Sequence, residues 1–284
     1  MMNLENLKDW IGREEENLDV AAVPPLLALA ATLDYAAPPW RSGEVPPLGH
    51  WLYFLPKAMQ GMLDRDGHPR RGGFLPPVPL PRRMFAGGRL EFLAPIRQGE
   101  ALRRRSTILS VEPKTGRSGP MLFVTVAHDV FVQDGPALRE MQNIVYREAA
   151  APGAAPSADP ADAADPAPSA VWERTVEPDP MLLFRFSALT FNGHRIHYDR
   201  HYAEAVEGYP GLVVHGPLIA TLLMDLFLRH NPGARISAFQ FRAQRPVFDV
   251  QPFTLLGTPT AGGASLWALD PAGRIAMQAE LEAG

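Results

Sequence analysis

Between Pro217 and His230 the apolar residues Leu218, Ile219, Leu222, Leu223, Leu226, Phe227 and Leu228 cover most of the circumference of a helix. A helix that is apolar nearly all round must be surrounded by other parts of the chain. Pro217 suits a first-turn position and Asn231-Pro232-Gly233 a stop, so both ends carry the expected chemistry. Strand patterns follow at about 236–243, 246–257, 264–269 and 274–282, joined by Thr260-Ala261-Gly262-Gly263 and Asp270-Pro271-Ala272-Gly273. The first half offers similar strands at about 88–94, 100–113 and 120–133. Near the N-terminus, Leu4, Leu7, Trp10 and Ile11 among charged residues predict a surface helix.

Residues 149–170 contain only Ala, Pro, Gly, Ser and Asp. With nothing large to bury and prolines blocking regular structure, they predict an extended, mobile linker between units 1–148 and 171–284. The two units repeat a layout. RLEFLAPIRQGEAL (89–102) matches AFQFRAQRPVFDVQPFTL (238–255), with Pro95 opposite Pro246. Residues 30–34 lie on 188–192 without a gap, placing Asp34 opposite Asn192. PPLGHWLYF (46–54) stands where the second unit has its apolar helix, and so predicts a helix too. Agreement in the order of elements argues for duplication. A buried helix enclosed by a curved antiparallel sheet is a hot dog unit, and two in tandem give an α+β double hot dog.

The chain has 284 residues, 46% of them hydrophobic and 20% charged, with a net charge of −4 and no cysteine. Thiolate nucleophiles and Cys-ligated metals are excluded. The charge gives no general reason to expect nucleic acid or an anionic membrane as partner. No apolar span approaches the roughly 20 residues of a membrane helix, and the N-terminus lacks a targeting pattern, so a soluble cytoplasmic protein is expected. P-loop, GxGxxG, GxSxG and HExxH motifs are absent from the sequence.

The informative stretch is FSALTFNGHRIHYD (186–199), followed by YPGLVVHGPLIAT (209–221). It resembles the MaoC-type (R)-hydratases, and more closely the hydroxyacyl-thioester dehydratase type 2 branch, whose members share an FNxHRIHYD string and a VVHGPL helix start. That branch includes itaconyl-CoA and mesaconyl-CoA hydratases and mitochondrial fatty-acid-synthesis dehydratases. The resemblance covers the second half well and the first half moderately. It implies a hydro-lyase acting on an acyl-CoA thioester, with itaconyl-CoA or mesaconyl-CoA giving citramalyl-CoA as the favoured chemistry. A 3-hydroxyacyl-thioester dehydratase of longer chains is the runner-up, followed by a thioesterase and a non-catalytic acyl-CoA-binding module.

Hydration of an enoyl thioester needs a base for water, an acid for the α-carbon and donors for the developing enolate oxygen. His197 can serve as acid or base. Asn192 occupies the family's Asp position; an amide takes no proton, so it can only orient water or substrate. Proton transfer then falls on His197 alone, or is shared with Asp199, His194 or Asp34. In the first half Pro39 stands where a His would be needed, which predicts a catalytically degenerate unit. Gly216 opens the helix, where a free amide at the positive dipole end suits an oxyanion. Thr221 matches a Ser position of related hydratases, which implies support for the dyad. His215 and Asp199 are expected beside the substrate. Arg195 is either a surface residue or the receptor of a substrate carboxylate. Arg242 and Arg245 are first choice for the CoA phosphates, with Arg82-Arg83 second. Arg103-Arg104-Arg105 alternates faces on a strand, so part of its charge faces solvent. His194, His197, Asp199 and His201 could suggest a metal, but the resemblance accounts for them without one. No metal or separate cofactor is expected, CoA being part of the substrate. The seam of a pseudo-dimer within one chain suffices for a site, and pairing into a homodimer is compatible with it.

Overall fold

The computed structural model describes residues 5–116, 119–148 and 168–284. Ten antiparallel strands form one sheet: β1 (Glu14–Val20), β2 (Arg82–Phe92), β3 (Ala101–Gly116), β4 (Gly119–Val132), β5 (Gly135–Arg147), β6 (Trp172–Val176), β7 (Ile236–Ala243), β8 (Phe253–Thr260), β9 (Gly263–Leu269) and β10 (Ile275–Ala283). Their order is β1-β3-β4-β5-β2-β7-β10-β9-β8-β6. Read outward from the central β2–β7 pair, the two sets of five match element for element, as a duplicated unit requires. The halves meet from Gly87↔Arg242 to Glu91↔Ala238. Gly87, at φ 153, approaches so closely that a Cβ there would lie 2.4 Å from the carbonyl oxygen of Phe241. Only glycine fits that join.

In the second half α3 (Gly216–His230) is buried continuously from Leu218 to Leu228 and packs on β8, β9 and β10. Its surroundings form the main core, with Phe239, Phe253, Leu255 and Leu266 fully enclosed. At about 25 cal/mol per Å² of apolar surface, such burial is the main force holding helix to sheet. Asp225 is the polar exception. It accepts from the Tyr35 hydroxyl at 2.8 Å, Arg174 at 2.7 Å and Arg229 at 2.9 Å, which compensates the buried charge. Two further helices, α1 (Val23–Thr32) and α2 (Pro180–Leu189), pack against each other.

The first half departs from expectation. PPLGHWLYF forms only one 3-10 turn, Gly49–Leu52, instead of a helix. Leu48 and Phe54 adopt positive φ values of 66° and 54°, which an α-helix does not accommodate, and Pro46, Pro47 and Pro56 flank the turn. The strand expected over 246–257 begins only at Phe253. The preceding segment pairs instead with the chain leading into α3, through Val214 N–H to Val247 O and the bridge Val213↔Phe248. The N-terminal surface helix is a 3-10 segment, Glu5–Trp10. Of the expected linker 149–170, residues 149–167 lie outside the described residues. No helix among the described residues is long and apolar enough to cross a membrane.

Candidate active site

Helix α2 ends at Leu189, and Phe191 turns the chain with φ 48°. Asn192 Oδ1 then accepts from the His194 amide at 3.0 Å. An N–H needs an oxygen opposite it, so the side-chain NH2 is what Asn192 keeps for other partners. A 3-10 turn, Arg195–His197, follows. His197 Nδ1 donates to the Val213 carbonyl at 2.7 Å, which leaves the Nε2 lone pair as the ring's basic position. Burial pushes the His197 imidazole down to about 4, partly offset by the Val213 bond, so it is neutral at pH 7.

His197 stacks on His215, ring centroids 3.7 Å apart, and His215 is the residue immediately before α3. His215 Nε2 lies 2.8 Å from Ser187 Oγ, while its buried Nδ1 has no hydrogen-bond partner among the described residues. Burial, with the neighbouring His197 and His194, holds His215 well below the usual imidazole range. The α3 N-terminus receives no side-chain cap. A Cβ at Gly216 would meet Phe85 at an ordinary 3.7 Å. Packing within the protein therefore does not demand glycine there; Gly216 itself does not line the cavity between the halves, whereas Pro217 does.

The first half completes the site with a loop invisible to the motif. The Arg195 amide donates to Asp66 O at 2.8 Å, and Gly67 (φ +90°) lies so close that a Cβ would sit 1.8 Å from Gly193 O. His68 donates through Nδ1 to Asp66 Oδ2 at 3.0 Å and packs on His194 at 4.1 Å between ring centroids. Asp66, His68 and His194 each offer a ligand atom within 4.8 Å of the others, a geometry that could hold a cation. His197, Asp199 and His201, three of the four residues considered for a metal from sequence, are not part of it.

Beside this loop lies a cavity of about 1090 Å³ between the halves. Ser187, Asn192, Gly193, Arg195 and Pro217 line it from the second half, and Arg83, Phe85, Arg104, His128, Glu140 and Gln142 from the first. From the first half its wall includes residues of strands β2, β3, β4 and β5. His197 and His215 do not themselves line it; His215 touches the lining Ser187, and His197 stacks behind. Glu140 is buried with the His50 ring at 2.9 Å, Trp51 Nε1 at 3.0 Å and Gln142 Nε2 at 3.0 Å. Burial alone would raise its carboxyl, but His50 and these donors hold it down to about 2.

The structure brings His197, His215 and Gly216 together just behind the cavity wall, with Asn192 on the wall itself. It spends other candidates elsewhere. Arg195 donates from Nε and Nη2 to Asp199 Oδ2 at 3.0 and 2.8 Å and lies over the Tyr202 ring, so both residues stabilise the loop. Thr221 donates to Pro217 O at 2.8 Å within its own helix. Arg242 and Arg245 lie outside the cavity, the latter donating to Ile275 O at 2.9 Å. Arg82 grips Glu207 through Nε at 3.0 Å. Asp34 is exposed and does not line the cavity. Sequence alone missed Asp66, Gly67, His68 and Ser187.

The model of the family "Hydroxyacyl-thioester dehydratase type 2" matches residues 48–249. A protein of Chloroflexus aurantiacus named mesaconyl-C(4)-CoA hydratase is 51% identical over 276 residues, 97% of each chain. The solved structure of HtdX from Mycobacterium tuberculosis superposes with a TM-score of 0.68 at 18% identity, over 96% of this chain and 100% of that one. Another M. tuberculosis protein, described as having a double hot dog fold, gives a TM-score of 0.54 at 15% identity over 99% and 97% of the two chains. The fold is thus a double hot dog, and the chain belongs to the hydroxyacyl-thioester dehydratase type 2 family.

Proposed function

We propose that the protein is an acyl-CoA hydratase that adds water across the double bond of a short, branched dicarboxylyl thioester, mesaconyl-CoA or itaconyl-CoA, to give citramalyl-CoA. The observation that carries this is a neutral imidazole, His197, fixed through Nδ1–H on Val213 O and stacked on the residue that opens the uncapped helix α3. The relative named mesaconyl-C(4)-CoA hydratase supports the substrate class.

With a conjugated substrate such as mesaconyl-C4-CoA, the thioester oxygen lies against the Gly216 amide, where the helix dipole favours the charge that develops. His197 Nε2 takes a proton from water as the oxygen bonds to the β-carbon, and the resulting imidazolium returns that proton to the α-carbon. One imidazole serves both steps, because Asn192 is no acid; its NH2 orients the water. The reaction needs no separate cofactor. The exposed Lys57, Arg65 and Arg70 at the cavity rim suit the phosphates of CoA, in place of Arg242 and Arg245.

The test follows the enoyl-thioester absorbance over a panel of enoyl-CoA substrates, with free thiol measured in parallel. Bleaching without thiol release, fastest for the dicarboxylyl thioester, is expected, and His197→Ala should reduce the rate on the order of 10³-fold while the fold is retained. Thiol release would indicate a thioesterase, no change an acyl-CoA-binding module, and preference for long plain chains a fatty-acyl dehydratase.

A further inference from the structure

We infer that Arg83 is the receptor for the second carboxylate of the acyl group and so determines the preference for dicarboxylyl thioesters. The inference rests on the hydratase assignment above and locates the specificity of that site. Arg83 lies on β2 two residues before Phe85, so the two side chains share a face about 7 Å apart along the strand. Both line the cavity, and Phe85 is the residue against the start of α3.

Of the other arginines lining the cavity, Arg65 and Arg70 are exposed at the rim, and the remaining three have neighbours of their own. Arg71 donates to the carbonyls of Val78, Leu80 and Pro81. Arg195 is held by Asp199; Arg104 has Glu15 at 3.9 Å and lies over the Phe54 ring, but its buried Nε has no hydrogen-bond partner among the described residues. Arg83 is half-buried and, among the described residues, makes no hydrogen bond or ion pair through its side chain. Asp66, the acid of the adjoining loop, is occupied by His68. A partly desolvated guanidinium without an anion is unfavourable and is well matched to a carboxylate, which it can bind in bidentate fashion.

Position separates Arg83 from Arg104. In mesaconyl-C4-CoA the second carboxylate hangs on the β-carbon, the atom that water attacks. Its receptor must therefore lie beside the base. Arg83 is on β2, the strand that contacts α3 and whose Phe85 faces Gly216, next to the His215 ring on which His197 stacks. Arg104 is on β3, with β4 and β5 between it and β2, and it lies beside Glu15 of the edge strand β1.

The experiment measures dissociation constants of succinyl-CoA and butyryl-CoA by calorimetry. Both are saturated, and they differ in that carboxylate. The wild-type protein should prefer succinyl-CoA, and in Arg83→Met the preference should fall on the order of 100-fold, the scale of losing one partner of a buried charge pair. Arg83→Lys should keep part of it. An unchanged ratio in Arg83→Met, no preference in the wild type, or collapse in Arg104→Met alone would each overturn the inference. Should Arg83→Met fail to fold, the ratio in Arg83→Gln and Arg83→Lys decides on the same terms. Because no turnover is involved, an Arg83-dependent preference in a protein that hydrates nothing would remove the hydratase assignment and leave the receptor standing.

Discussion

With its Nδ1–H spent on Val213, the His197 ring has one free position, and in the proposed reaction its state sets the pH dependence. Burial lowers this imidazole to about 4, so the basic form persists well below the ordinary value near 6.5. Values of kcat/KM for hydration should therefore stay level from roughly pH 8 to 5.5. A falling limb centred near 6.5 would show that the reacting base is not this buried ring. Asn192→Asp extends the argument. A carboxylate still accepts from the His194 amide, so the turn survives, but it brings a negative charge toward the histidine cluster. That favours imidazolium, and the acid limb should move upward by about one pH unit. An unmoved limb would mean residue 192 does not sense the base. The motif marks His197 and Asn192 in the sequence, while of the two roles open to Arg195 the sequence does not show its i,i+4 pairing with Asp199, which exists only once the turn has formed.

At the scale of elements, the loop over residues 192–199 is shaped by a contact from far along the chain. Gly67 and Gly193 meet backbone to backbone, and a side chain at 67 would strike Gly193 O as well as oppose a left-handed φ. Gly67→Ala should cost about 1–3 kcal/mol locally and lower kcat/KM by at least about 10-fold, through displacement of His194 and its neighbours. Steady-state kinetics beside a melting curve checks this; unaltered kcat/KM would show that the 64–68 loop does not position the site. Nothing in residues 64–68 announces this role, since it exists only once the loop lies on residues 192–195. Strands β7, β9 and β10 and helix α3 were legible because alternation and apolar wrapping repeat there. β1 was not, because its EEENLDV alternates charged residues with an exposed Leu18 at a sheet edge. The helix expected over 46–54 has enough apolar residues, but the left-handed turn at Leu48 stops it, and the space it would fill borders the cavity.

The whole molecule encloses several imidazoles in neutral form, and this ties its stability to pH. Burial lowers His128 and His197 each to about 4, and holds His215 well below the usual imidazole range. In the unfolded chain these groups protonate near 6.5. The sign follows from counting protons: below about 6.5 the unfolded state binds more of them than the folded state, so stability is complete above that value and is lost as pH falls toward the folded values. One such imidazole withholds about 2 kcal/mol by pH 5. Glu140 adds a later loss, since a carboxyl held at about 2 contributes above its unfolded value near 4.5 and stops contributing as pH falls through the folded one. The melting temperature should therefore fall by several degrees between pH 7 and pH 5, before carboxylates titrate. His128 isolates the effect, because it lies in the first half with its Nδ1 2.8 Å from Ser106 Oγ, away from His197. His128→Gln should lower the melting temperature at pH 7 yet flatten its descent toward pH 5. A descent equally steep in both proteins would place the acid sensitivity outside the buried imidazoles.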